Sequence, residues 1–361
     1  MNACLRAIVK SAGENVEIIG IRYGGLGLVR NLSTPPDYVP LSRDDVSGIM
    51  HRSGTILKTV RDQALSQYLI ESGHELADVL AIHAETLGEP GDSAALALAD
   101  LAAEALVANN VEALALLGGD TTCRSAWVLK RKLGPTFPIA VIPASIDHDV
   151  KGTAHTIGFD SALQLAMSHI DAIRETAISM QRIFVVEVMG RRRGFLAAAV
   201  ALATGAEAVL VPERAYDTAA IDHLASQLAA AQARGSSCLV IIAEGTQIPT
   251  IGGSGAGRPL SSGEALAERL SLRIPHVEVK VAVLGHVQRG APPTAFTRLL
   301  ASRAGVACVK ALVDSTPQEE PLLIAFTSSG HIDVMSAPPP AEARDNEALD
   351  EALRLQDALA F

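Results

Sequence analysis

The sequence predicts an α/β protein built on parallel sheets with helices on both faces. Three observations carry that prediction. Short apolar runs of strand length alternate with helical stretches along the chain. Each run closes in a glycine-bearing or polar turn. Apolar residues make up 48 % but aromatics only 3 %, so the core is mostly Ala, Val, Leu and Ile. At 361 residues the chain is too long for one typical domain and suits two.

The elements follow in order. VEIIGIRYGG (16–25) reads as a strand ending in glycines. ETLGEPGDSAALA (85–97) reads as a surface connection, and ALALADLAAEALVANN (95–110) has helical period. VEALALLGGDTT (111–122) is a strand entering a Gly-Gly turn, and CRSAWVLKRKLG (123–134) is a helix with a basic face and a glycine stop. FPIAVIP (137–143) is a strand, and FDSALQLAMSHIDAIRETA (159–177) a long amphipathic helix. RIFVVEVMG (182–190), EAVLVPE (207–213) and CLVIIAEGT (238–246) are strands with polar or glycine turns. FLAAAVALATGAEAVLVP (195–212) is interrupted by Glu207 and reads as a buried helix followed by a strand, not a membrane span. IPTIGGSGAGRPLSSGE (248–264) reads as a Gly/Ser-rich loop, and residues 335–361 as a Pro-marked link into an acidic helix.

The net charge of −10 argues against a global grip on nucleic acid and leaves room for a local basic pocket. Cys4, Cys123, Cys238 and Cys308 are far apart, with neither zinc spacing nor a disulfide framework. The N-terminus carries Arg6 and Lys10 within its short apolar stretch and is no signal peptide. The expected location is the cytoplasm.

In open α/β sheets ligands sit beyond the carboxyl ends of strands, so five strand-end turns hold the candidate chemistry. Gly118–Thr122 (GGDTT) offers glycines, a helix N-terminus for phosphate, and Asp120 as a magnesium carboxylate; it also reads as a plain βα turn with Asp or Thr as the helix cap. SIDHD (145–149) offers a carboxylate general base with a second acid beside it; it equally reads as an Asx-rich turn. His148, between the acids, receives no role. MGRRRG (189–194) places three arginines after a strand and favours an anion site over a solvated patch. Glu244 in AEGT suits a sugar hydroxyl or a loop cap. LGHVQRG (284–290), with His286 and Arg289 and with Lys280 just upstream, suits a phosphorylated ligand.

Together the motifs resemble the phosphofructokinase family. The family's GGD turn, its TIDND loop (here SIDHD), its QRxxVVEVMGR segment (here QRIFVVEVMGR), its AEG strand end and its LGHxQRGGxPTAxDRxLAxRxG segment (here LGHVQRGAPPTAFTRLLASRAG) occur in sequence. The resemblance runs from Met1 to about residue 330, with an extra stretch over roughly 66–96.

The resemblance implies two doubly wound, Rossmann-like domains with the site in the cleft between them. Residues 1–158 plus about 287–335 would form the phosphoryl-donor side, and about 159–286 plus 336–361 the sugar-phosphate side. It implies transfer of a phosphoryl group from ATP or pyrophosphate, with ATP the favoured donor, to the 1-hydroxyl of fructose 6-phosphate, with Mg2+. Asp147 would be the general base, with two further catalytic residues: Asp149, assisting with the metal and sugar, and Arg191, lining the sugar-phosphate site. Ser145, Met189, Gly190 and Glu244 would contact the sugar, and His286 and Arg289 its phosphate. Arg182 and Lys280 sit where the family's neighbouring subunit lends cations, implying a homo-oligomer, dimer or tetramer. Arg61, Gly118, Gly119, Thr121 and Thr122 would meet the donor, and Asp120 the metal.

Departures fall mainly on the donor side. Family chains open with a strand and a GGDxPGMNA loop; this one opens at MNA, so the native chain is expected to start upstream. Gly25 stands where the family has an adenine-side aromatic, and Lys58 replaces a glycine. At the two positions that separate ATP from pyrophosphate users, Thr121 and Ala144 match neither class. His148, Lys280 and Thr297 replace Asn, Arg and Asp. These changes leave open a non-catalytic sugar-phosphate binder and a kinase for another phosphorylated sugar.

Overall fold

The structure is a computed structural model, which describes residues 1–29, 37–59, 92–236, 238–249, 259–339 and 346–360. Its elements in chain order are α1 (Asn2–Ser11), β1 (Ile19–Ile21), α2 (Gly25–Val29), β2 (Tyr38–Pro40), α3 (Asp92–Ala108), β3 (Leu114–Gly118), α4 (Asp120–Leu133) and β4 (Ile139–Pro143). There follow α5 (Phe159–Met180), β5 (Ile183–Val188), α6 (Phe195–Thr204), β6 (Ala208–Leu210), α7 (Thr218–Ala233), β7 (Cys238–Ala243), α8 (Ser262–Arg273) and β8 (Val279–Val283). A 3₁₀ turn (Gly285–Gly290) leads to α9 (Ala295–Val313), β9 (Leu322–Phe326), β10 (Ile332–Ser336) and α10 (Glu347–Leu359). The chain divides into two compact units. The first is Met1–Ser145, Val150–Ile157 and Ala295–Arg344; the second is Ile146–Asp149, Gly158–Thr294 and Asp345–Phe361.

The first unit holds a four-stranded sheet in the order β10-β9-β4-β3. Strand β4 is buried along its whole length, as a strand covered on both faces must be. Ile139 and Val141 face the α3 and α4 side with Leu106 and Leu129, while Ala140 and Ile142 face α1 and α9 with Ile8 and Leu300. That two-residue alternation sends each strand into two cores at once. The β3–β4 and β4–β9 pairs are parallel, but β10 runs antiparallel to β9, and β1 and β2 form a separate antiparallel pair.

The second unit carries a wholly parallel sheet in the order β6-β7-β5-β8. Leu239, Ile241 and Ala243 pack against α5, α6 and α10, while Cys238, Val240 and Ile242 pack against α7 and α8. Each fully buried aliphatic here contributes about 1.5–3 kcal/mol of transfer free energy, which is why this polar-poor strand sits at the centre.

Several readings of the sequence need correction. The strand expected over 16–25 shrinks to three residues, because Gly24 takes a left-handed turn and Gly25 opens α2. The connection expected over 85–97 is helical from Asp92 onward. The end of the Gly/Ser-rich loop is a helix start: Ser261 and Glu264 form a reciprocal capping box for α8. Residues 250–258 of that loop, Arg61, and most of the 66–96 stretch lie outside the described residues. Among the described residues, no helix is long and apolar enough to cross a membrane.

Candidate active site

Parallel pairing aligns three strand ends in the second unit. Val188 of β5 lies beside Ala243 of β7, and Glu187 beside Val283 of β8. The turns that leave these ends are therefore neighbours: 189–194 after β5, 244–246 after β7, and the 3₁₀ turn after β8. The Ile146–Asp149 segment belongs to the same unit.

The turns are tied together through Glu244. Its Oε1 accepts the backbone N–H of Arg191 at 2.7 Å and that of Gly190 at 3.4 Å. Gly190 has φ 153°, and a Cβ there would collide with the Arg193 carbonyl, so only glycine fits. Arg191 takes the left-handed region at φ 56°. Met189 N–H faces the side-chain oxygen of the buried Gln288 at 3.4 Å. Ser262 Oγ donates to the carbonyls of Glu244 and Thr246, each at 2.8 Å, which fixes the turn from behind. Glu187, buried in β5, accepts Gly263 N–H at 2.6 Å and anchors the same first turn of α8.

Asp147 is 7 % exposed. Burial, and then the charge of Asp149, push its carboxyl up to about 6; Glu244 adds to the rise, while Arg289 and Arg191 oppose it. Asp147, Asp149, Arg191, Glu244 and Arg289 are thus one electrostatic group. Asp149 Oδ1 is a buried oxygen that no hydrogen-bond donor reaches among the described residues. His286 and Arg289 are exposed on the 3₁₀ turn.

The arginine triplet does not act as a unit. Arg193 turns inward: it lies 3.7 Å from Glu213, donates to Asn346 at 2.9 Å and covers the Phe195 ring at 5.1 Å. Glu213 also receives Gly194 N–H on both oxygens at 3.0 Å. A run of three arginines reads the same whether a member faces solvent or core, so the sequence holds no signal for this.

Arg182 and Lys280 lie elsewhere. Both flank the amino ends of β5 and β8, where Ile183 pairs with Val279. The rise along a six-residue strand separates them from the Asp147 end of the sheet by on the order of 17 Å. There they share one carboxylate: Glu278 pairs with Arg182 and with Lys280, the latter at 2.7 Å.

In the first unit, Gly118 ends β3 and Gly119 caps α4 without a side-chain bond. This corrects the expectation of an Asp or Thr cap. A Cβ on Gly118 would collide with the Thr122 side chain, which folds back over it. Asp120 sits in the first turn of α4 and accepts from Arg124 Nε at 2.8 Å; Thr121 is exposed. Ser145 accepts the Thr156 hydroxyl at 2.7 Å through its carbonyl. Among the described residues no three acids, histidines or cysteines gather to cage a metal.

A phosphofructokinase family model matches residues 1–312. The chain is 39 % identical to ATP-dependent 6-phosphofructokinase 1 of Thermus thermophilus, over all of this chain and 95 % of the relative. It is 34 % identical to the ATP-dependent 6-phosphofructokinase of Aquifex aeolicus, over 87 % of this chain and 83 % of the relative. Among solved structures, phosphofructokinase from Saccharomyces cerevisiae superposes at TM-score 0.74 and 26 % identity, covering 99 % of this chain; the chain spans 44 % of the length of that yeast chain. Pyrophosphate-dependent phosphofructokinase from Marinobacter aquaeolei shares the fold at TM-score 0.71 and 17 % identity, over all of this chain and 88 % of that one. The chain is a member of the phosphofructokinase family.

Proposed function

We propose that the protein is an ATP-dependent 6-phosphofructokinase, moving the terminal phosphoryl group of ATP to the 1-hydroxyl of fructose 6-phosphate. The observation that carries this reading is Asp147, a buried carboxyl held up to about 6 among Asp149, Glu244 and two arginines. A carboxylate so tuned is ionised at neutral pH yet basic enough to accept a hydroxyl proton.

Phosphoryl transfer asks for positioning and charge neutralisation more than covalent chemistry. Asp147 takes the proton of the attacking hydroxyl, and Asp149 supports it. Arg191 offsets charge on the group in transit. Glu244, already oriented by the Arg191 amide, meets sugar hydroxyls together with Met189, Gly190 and Ser145. His286 and Arg289 take the sugar phosphate, with Arg182 and Lys280 supplied by a neighbouring copy in a dimer or tetramer. The donor phosphates rest on Gly118, Gly119, Thr121 and Thr122 at the positive end of α4, with Arg61. Magnesium carried on a nucleotide binds through one or two carboxylates plus phosphate oxygens, and Asp120, in the first turn of α4, is the carboxylate of the donor turn. Asp120 would hold it, and the ion would neutralise phosphate charge.

The test is a donor and acceptor panel: ATP and pyrophosphate, each with fructose 6-phosphate and with other phosphorylated sugars, with and without magnesium. Transfer to fructose 6-phosphate from ATP is expected. Silence with both donors removes the reading, and preference for pyrophosphate or another sugar corrects it.

A further inference from the structure

His148 separates the two acids of the SIDHD loop, and its surroundings are specific. Its ring stacks on Phe159 with centroids 4.5 Å apart and 29° between planes, and meets Phe195 edge-on at 5.5 Å. It is 8 % exposed and its backbone is left-handed, φ 56°. Such a φ is uncommon outside glycine, with Asn, Asp and His the residues that adopt it most often, and a non-glycine residue holds it where its surroundings over-determine it.

The surroundings do so here. Phe159 and Phe195 are the first residues of α5 and α6, so helical backbone fixes both rings. Phe195 is backed in turn by the Arg193 guanidinium, itself held by Glu213 and Asn346. Ile146 packs into the core beside α5 and α6. The loop therefore alternates anchored residues, Ile146 and His148, with carboxylates, Asp147 and Asp149.

We propose that His148 is a positioning residue: its ring, clamped between Phe159 and Phe195, holds the left-handed turn that aims Asp147 and Asp149. The clamp takes the place of the asparagine that the family motif carries, which tolerates the same φ without a ring to grip. The role for catalysis rests on the reading of Asp147 as the base. An error of about 1 Å in a reacting group costs on the order of a hundredfold in rate, whereas substrate contacts made elsewhere are untouched.

Four variants of the full chain test it: His148→Ala, His148→Asn, His148→Phe and Phe159→Leu. His148→Ala should lower kcat by about ten- to a hundredfold while both KM values stay within about twofold. It should also move the acidic limb of kcat/KM downward, as Asp147 regains water among Asp149, Glu244, Arg191 and Arg289. His148→Phe, which keeps the stack, should restore most of kcat. His148→Asn, which keeps only the backbone preference, should restore part. Phe159→Leu should lower kcat, and its effect should fail to add to that of His148→Asn. His148→Asn at full wild-type kcat overturns the clamp, as does His148→Ala with an unmoved acidic limb. If the wild type transfers no phosphoryl group, the proposed function fails while the clamp is still read by hydrogen exchange. Amides 147–150 should then exchange about tenfold faster in His148→Asn with global unfolding unchanged, and equal exchange overturns it.

Discussion

The backbone N–H of Arg191 donates to Glu244 Oε1 across 2.7 Å, joining the turn after β5 to the turn after β7. A carboxylate held by main-chain donors keeps its orientation with no substrate bound, so its contribution needs little reorganisation. Glu244→Gln, which preserves an acceptor oxygen, should raise KM for fructose 6-phosphate by less than about tenfold. Glu244→Ala should raise it more and lower kcat as well, because Gly190 and Arg191 lose their anchor. Steady-state kinetics on both variants checks this ordering.

Burying Asp147 has a stability consequence of definite sign. Its carboxyl is raised to about 6 in the folded protein, above the ordinary unfolded value, so between these limits the folded state binds the proton more readily. This contribution is fully present below the unfolded pKa and is lost as pH rises to about 6. At pH 7 and above the ionised group therefore costs stability, by about 3 kcal/mol. Asp147→Asn should raise the Tm at pH 7.5 relative to wild type, and the gain should vanish near pH 4. Calorimetry at the two pH values reads it; a lower Tm for the variant at pH 7.5 contradicts it.

Gly118 tests the donor turn. Adding a methyl group drives it into the Thr122 side chain. Gly118→Ala should destabilise by about 1–3 kcal/mol and raise KM for ATP without changing KM for fructose 6-phosphate. An unchanged ATP KM would separate this turn from donor binding.

The pairing of Arg182 and Lys280 on Glu278, at the sheet end away from Asp147, suggests that these cations serve another copy. Hydrogen bonds from Lys280, then Arg182, hold the Glu278 carboxyl below its usual range. Lys280→Ala and Asp147→Asn should each be nearly inactive alone. Co-refolded together, they should regain part of the activity, because a mixed assembly contains sites with both residues intact. Activity no greater than the sum of the two separate variants would place Lys280 outside a shared site.

The sequence made the βα alternation legible because buried strands such as CLVIIA and amphipathic helices such as 159–180 differ in period. It also marked strand-end turns that the structure brings together: Asp147, Arg191, Glu244 and Arg289 each follow an apolar run and fall in one electrostatic group. The antiparallel β10 was hidden because strand direction leaves no mark in five residues. The α8 start was present as Ser261-x-x-Glu264 but was masked by the glycine-rich composition around it. The inward turn of Arg193 and the grip on His148 depend on Glu213 and Phe195, which only tertiary packing brings against them.

The most direct test of the account is product formation by wild type and Asp147→Asn in parallel, with sugar-phosphate binding followed by calorimetry. Wild type should form fructose 1,6-bisphosphate from ATP. Asp147→Asn should be slower by about 10²–10⁴-fold while binding fructose 6-phosphate nearly as well. Equal turnover by the two proteins would contradict the assignment of Asp147 as the base.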